Sequence, residues 1–289
     1  TRLVSDWSSD VCSSDLCYSA IAGNPLLLDL DALCSQDLVT LEEIAYPPSF
    51  PFDRVDYELV NSYKLPLLRK AYERFQVSAS DEQKQEFKAF CDRSATWLDD
   101  YSLFTALNQH FGDLGWYGWP EAIAKRDPNT LKAWREKLID DVEFCRYLQY
   151  EFNRQWAALK QYANARGIEI FGDIPIYVAH DSADVWAHSE IFCLDPNTGQ
   201  PTEMSGVPPD YFSETGQLWG NPVYNWDVLA KDGFKWWIQR FKSILEYVDL
   251  IRIDHFRGFE SYWSVPGGEE TAMNRSEERR VGKECRSRW

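Results

Sequence analysis

The 289 residues carry 46 Asp and Glu against 30 Lys and Arg, a formal charge of -16, which argues against nucleic acid or an anionic membrane as partner. No apolar run approaches the roughly 20 residues that a membrane span needs. The seven cysteines, at 12, 17, 34, 91, 145, 193 and 285, show neither CxxC spacing nor Cys/His clustering; they fit reduced, cytoplasmic thiols, and neither a metal nor a cofactor is expected.

Residues 1–16 are rich in Ser and Asp without periodicity, and 275–289 (RSEERRVGKECRSRW) turn abruptly basic. Both read as foreign ends resembling translated adapter sequence, which leaves 17–274 as the authentic domain. The acidic balance survives trimming.

Gly23-Asn24-Pro25 is turn chemistry, and Leu26-Leu27-Leu28 suits a short strand, with Asp29 or Asp31 placed to start a helix. From about 56 to 165 the pattern is helical. Ser80 and Gln83 form a capping box, and Asp127-Pro128 opens a run whose stripe carries Leu131, Trp134, Leu138, Val142, Cys145, Leu148, Phe152, Trp156, Leu159 and Tyr162. Gly167 closes it as a C-cap. An aromatic stripe at this spacing is core, so the segment reads as a helical insertion subdomain.

Ile168 to Asp173 then reads as a strand with Asp173 at its C-terminal end. The long segment 194–227 holds five Pro, four Gly and the aromatics Tyr211, Phe212, Trp219, Tyr224 and Trp226. It reads as an ordered substrate loop, since flat rings beside Gln217, Asn221 and Asn225 suit a sugar. A self-packed loop is the plainer alternative.

An amphipathic helix through Phe234 to Leu245 leads into Asp249-Leu250-Ile251-Arg252-Ile253-Asp254. Strand alternation puts Arg252 and Asp254 on one face, both faces are expected to be buried, and Arg252 is expected to hold Asp254 ionised. A structural ion pair is the competing reading. Two strands joined by a helical crossover form a parallel βαβ unit. Carboxylates at strand ends, and the absence of a glycine-rich phosphate loop, favour a (β/α)₈ TIM barrel over a doubly wound sheet.

The segments IAGNP, QWAALKQYANARGIEIFGDIPIYVAHDSADVW, GVPPDYFSETGQLWGNPVYNW and RIDHFRGFESYWSVPGGEETAMN resemble the 4-alpha-glucanotransferases (amylomaltases, disproportionating enzymes) of glycoside hydrolase family 77, in the alpha-amylase clan. The resemblance covers 17–274. It implies retaining transfer of alpha-1,4-glucan segments from a maltooligosaccharide donor to a sugar acceptor, through a covalent glycosyl-enzyme. By motif position, Asp254 resembles the nucleophile and Arg252 its partner, and Asp173 and His255 the groups that bond the sugar. Tyr211 and Phe212 resemble acceptor-side aromatics, with Trp219 and Asn221 on the same loop.

Retaining chemistry also needs an acid/base carboxyl roughly 5 Å from the nucleophile. The resemblance implies that this glutamate and a third carboxylate follow the RIDHF segment, and the chain reaches Asn274 before either motif. Glu203, Glu214, Glu260, Glu269 and Glu270 do not occupy it. The chain is therefore expected to be an internal fragment holding about half of an α/β barrel, inactive by itself and prone to aggregate through open strand edges. A hydrolase of the same clan and a noncatalytic glucan-binding protein remain alternatives.

Overall fold

The computed structural model describes residues 17–112, 114–209, 211 and 213–273, together with the backbone of 276–280. The two ends read as foreign lie outside the described residues except for that backbone, and so does Phe212. Two compact units divide the chain: residues 22–106 with 135–168 form one, and residues up to 21, 107–134 and 169 onward form the other. No helix among the described residues is long and apolar enough to cross a membrane.

The unit of 22–106 and 135–168 is helical. Pro25 fills the first position of a 3-10 turn, Pro25–Leu27, and the Asn24 side chain accepts from the Leu26 amide. The strand expected at Leu26–Leu28 is replaced by this turn, because a fixed proline φ and a capping side chain close the chain before it can extend. Asp29 caps α1 (Leu30–Cys34), and Thr40 with Glu43 forms a capping box at α2 (Leu41–Ile44). α3 (Tyr57–Ser78) starts at Asp56. α4 (Asp81–Phe111) starts at the expected box, with the Ser80 amide donating to Gln83 Oε1 at 2.8 Å and the Gln83 amide to Ser80 Oγ at 3.2 Å.

After the short α5 (Glu121–Ala124), the run expected as one helix is two, α6 (Pro128–Lys137) and α7 (Ile139–Asn164). Leu138 between them has φ -106° and ψ 25°, outside the helical region. A one-residue break leaves the apolar spacing almost unchanged, so periodicity does not reveal it. Gly167, at φ +70°, ends α7, and the Ile168 amide donates to the Ala163 carbonyl at 3.1 Å. Leu159 and Tyr162, placed on the buried stripe, are exposed.

Leu68, Tyr72 and Phe75 of α3, Phe90 and Leu98 of α4, and Val142, Cys145 and Tyr147 of α7 are buried together. The Phe75 and Tyr147 rings lie 5.1 Å apart. Burying each such large side chain contributes roughly 1.5–3 kcal/mol. Gln149 of α7 clamps Gly23, accepting from its amide at 2.8 Å and donating to its carbonyl at 2.9 Å. A Cβ on Gly23 would sit 2.1 Å from the Phe152 ring, so this glycine serves close approach.

In the other unit, β1 (Phe171–Ile174) and β4 (Leu250–Ile253) pair in parallel, with Asp173 opposite Arg252. Asp249 sets the register: its amide donates to the Ile170 carbonyl at 2.8 Å while its carboxylate accepts from the Ile170 amide at 2.7 Å. α8 (Ala183–Ala187), α9 (Trp226–Lys231) and α10 (Lys235–Tyr247) fill the crossover, and α10 buries Trp237, Arg240 and Ser243. The expected parallel unit is therefore formed, but the expected burial of both faces is not. Phe171, Asp173, Leu250 and Arg252 are exposed and Ile174 alone of the eight is buried. Among the described residues these two strands pair only with each other, so neither gains the neighbours that cover a complete parallel sheet.

Part of the segment read as a long loop is sheet. β2 (Glu203–Val207) and β3 (Gln217–Pro222) pair antiparallel, and with β5 (Ser261–Pro266) and β6 (Ser276–Arg280) they make a sheet in the order β3-β2-β5-β6. Gly206, Gly220 and Pro222 erase the period-two signal in these short strands, and β5, the central partner, comes much later in the chain.

Candidate active site

Asp173 and Arg252 stand side by side because parallel pairing puts them in register at the C-terminal ends of β1 and β4. Arg252 Nε donates to Asp173 Oδ1 at 3.0 Å and Nη2 to Oδ2 at 2.5 Å. This two-point fork adds a partner that the reading of one strand did not name: the carboxylate that Arg252 grips is on the adjacent strand. Alternation shares a face between residues two apart, but the directly opposed residue on a neighbouring strand is nearer. The pair is open to solvent, its side chains 44% and 40% exposed.

Asp254 leaves β4 with its amide donating to the Ile174 carbonyl at 3.1 Å, so the backbone ladder carries it one residue past the strand. His255 follows in the left-handed region at φ 48° and ψ 47°, a conformation that few non-glycine residues adopt. The turn Phe256–Phe259 then anchors on Phe259, whose ring lies 4.9 Å from Trp237 and 5.9 Å from Trp226. Burial holds the His255 imidazole below the ordinary histidine range; Asp254 opposes that shift and Arg257 adds to it.

The aromatic segment contributes unevenly. Trp219 on β3 meets His255 edge to face, with centroids 5.3 Å apart at 84°, and its indole donates to Gln217 Oε1 at 3.1 Å. Asn221 is 4% exposed and donates to the Val178 carbonyl at 3.0 Å. It belongs to the buried frame of the segment that carries Trp219. Tyr211 is fully exposed.

Tyr177, inside a quoted motif but not singled out from sequence, is the ring around which these groups gather. It is 4% exposed, and its centroid lies 6.2 Å from Trp219, 6.2 Å from Tyr224, 6.5 Å from His255 and 6.5 Å from Tyr262. Its signal was its place four residues after Asp173, where the chain leaves the strand end.

A parallel strand pair of a partial (β/α)₈ barrel carries carboxylates, a guanidinium and an imidazole at the C-terminal ends of its strands, the face at which enzymes of this barrel class place their chemistry. The sequence pattern of glycoside hydrolase family 77, described as 4-alpha-glucanotransferase, matches residues 9–289, and the chain belongs to this family. It is 52% identical over 259 residues to a 4-alpha-glucanotransferase of Synechocystis sp., covering 90% of this chain and 51% of that protein. It is 50% identical over 256 residues to one from Thermus thermophilus, covering 89% and 50%. The solved amylomaltase from Streptococcus agalactiae, in complex with acarbose, superposes with a TM-score of 0.86 at 38% identity, covering 91% of this chain and 53% of its own. The chain spans about half the length of these relatives.

Proposed function

We propose that this chain carries the donor-side half of a retaining 4-alpha-glucanotransferase site. The observation that carries the reading is the fork between Arg252 and Asp173, with Asp254 and His255 following directly on β4. Asp254 is the nucleophile: its carboxylate attacks the anomeric carbon of an alpha-1,4-linked glucose as the glycosidic bond breaks, giving a glycosyl-enzyme. Asp173, oriented by Arg252, and His255 take hydrogen bonds with the hydroxyls of the same sugar. Arg252 thus acts on Asp254 through the charge and geometry of the strand ends. The acid/base carboxyl that protonates the leaving oxygen is assigned to no residue here.

Transfer, as opposed to hydrolysis, requires a sugar hydroxyl to outcompete water for the glycosyl-enzyme. Trp219, packed against His255, supplies a flat apolar wall beside the site, and the exposed Tyr211, with Phe212 next to it in sequence, is assigned to the acceptor by motif position. The substrates are a maltooligosaccharide donor and a sugar acceptor, and the location is cytoplasmic. Product analysis tests the reading: the full open reading frame containing this chain, incubated with maltotriose, should give glucose and a ladder of longer maltooligosaccharides. Products shorter than maltotriose alone would assign a hydrolase, and no turnover with retained binding would assign a glucan-binding protein.

A further inference from the structure

The Ile176 carbonyl accepts two buried hydrogen bonds, from Tyr224 Oη at 2.7 Å and from Arg240 Nη1 at 3.2 Å. Two residues on, the Val178 carbonyl takes the Asn221 amide. The residues on either side of Tyr177 are therefore tied by side chains from outside their own segment. Arg240 is 1% exposed, with its guanidinium 5.0 Å from the Trp237 ring centroid and 5.4 Å from that of Trp236. Burying a guanidinium is expensive unless it is paired and bonded. Asp184, also buried, senses its charge.

This clamp lies directly beneath the turn that carries His255. A Cβ on Gly258 would fall 2.5 Å from Ile176 Cδ1 and 3.0 Å from His255 Cδ2, so turn and segment are in closest approach there. The Tyr177 ring faces His255 and Trp219 together. Its hydroxyl is buried with no hydrogen-bond partner among the described residues. An unsatisfied buried hydroxyl is destabilising, so it is the ring, not a hydrogen bond, that accounts for this position.

We propose that Tyr177 is a positioning residue for His255, held in place by Arg240 and Tyr224 through the Ile176 carbonyl. The inference rests on the glucanotransferase reading for its consequence, that this clamp sets where His255 meets the sugar. It rests on the structure alone for the clamp itself. The charged groups acting on the imidazole are Asp254 and Arg257, and burial among Tyr177 and Trp219 opposes its protonation.

The test is the NMR titration of His255 in the 289-residue chain. Tyr177→Leu removes the ring, admits water and should raise the His255 pKa toward the ordinary histidine value. Tyr177→Phe, which keeps the ring, should restore the parent titration and unfold at equal or higher denaturant. Tyr224→Phe should move the titration in the direction of Tyr177→Leu, and it serves if the leucine variant does not fold. A His255 titration identical to the parent's in Tyr177→Leu and in Tyr224→Phe, with only the melting temperature lowered, would overturn the proposal. In the full reading frame, Tyr177→Leu should weaken maltotriose turnover on the order of tenfold, the scale expected of sub-ångström misplacement. Absence of glucan transfer by the unaltered reading frame would sink the glucanotransferase reading and leave the titration result to decide the clamp.

Discussion

Asp173 and Arg252 meet as a two-point fork across the parallel register of β1 and β4, at 3.0 and 2.5 Å, although about two-fifths of each side chain is in solvent. A fork so exposed contributes little to folding, about 0–1 kcal/mol. Its geometry is better explained by what it orients. Arg252→Lys keeps the charge and loses the fork, so urea unfolding should shift by less than about 1 kcal/mol. Transfer activity in the full reading frame should drop by on the order of a hundredfold, since a point charge does not replace bidentate alignment. A large stability loss with activity retained would make the pair structural.

Gly23 offers a test of the helical unit. With the Phe152 ring 2.1 Å from where its Cβ would stand, Gly23→Ala should destabilise by roughly 1–3 kcal/mol through overpacking. Adding Phe152→Leu should recover part of that loss, and chemical denaturation of both variants reads the coupling. Additive losses would show that the two residues do not compete for the space.

The histidines predict an acid-side loss of stability. Burial holds His180 and His255 below the ordinary value of 6.5. Over the interval between the folded and unfolded pKa values the unfolded chain binds more protons, so their contribution is whole above about pH 6.5 and is lost as pH falls below it. Asp184, whose burial raises its carboxyl, acts with the opposite sign. His180→Gln keeps a nitrogen donor for the Gly199 carbonyl, which His180 Nε2 meets at 2.7 Å. It should flatten the slope of melting temperature against pH below neutrality, and an unchanged slope would remove His180 from the account.

Thiol reactivity reports on the core. Burial pushes the Cys145 thiol up to about 12 and that of Cys91 up to about 11, whereas Cys17 is exposed. An aromatic disulfide reagent should modify Cys17 promptly and Cys145 only after denaturant is added. Rapid labelling of Cys145 in the native chain would contradict the packing of α7.

Local signals were legible wherever a short segment decides its own structure. The Ser80 and Asp127 starts, the Gly167 stop and the parallel pairing around Asp173 all follow from spacing and capping. The fork from Arg252 to Asp173 was not legible from one strand, because register is a relation between segments far apart in the chain. β2 and β3 were hidden for the same reason: each is short, interrupted by glycine, and stabilised mainly by pairing with other strands. Tyr177 and Arg240 were not singled out from sequence, since only the fold reveals that the Ile176 carbonyl lies between Arg240 and Tyr224.

The most direct test of the central claim is to trap the glycosyl-enzyme. The full reading frame containing this chain would be treated with a fluorinated maltosyl fluoride, digested and mapped by mass spectrometry. The account predicts one glycosyl adduct on the peptide containing Asp254, absent in Asp254→Asn. An adduct on Asp173 or on another carboxylate, with Asp254 unmodified, would contradict it.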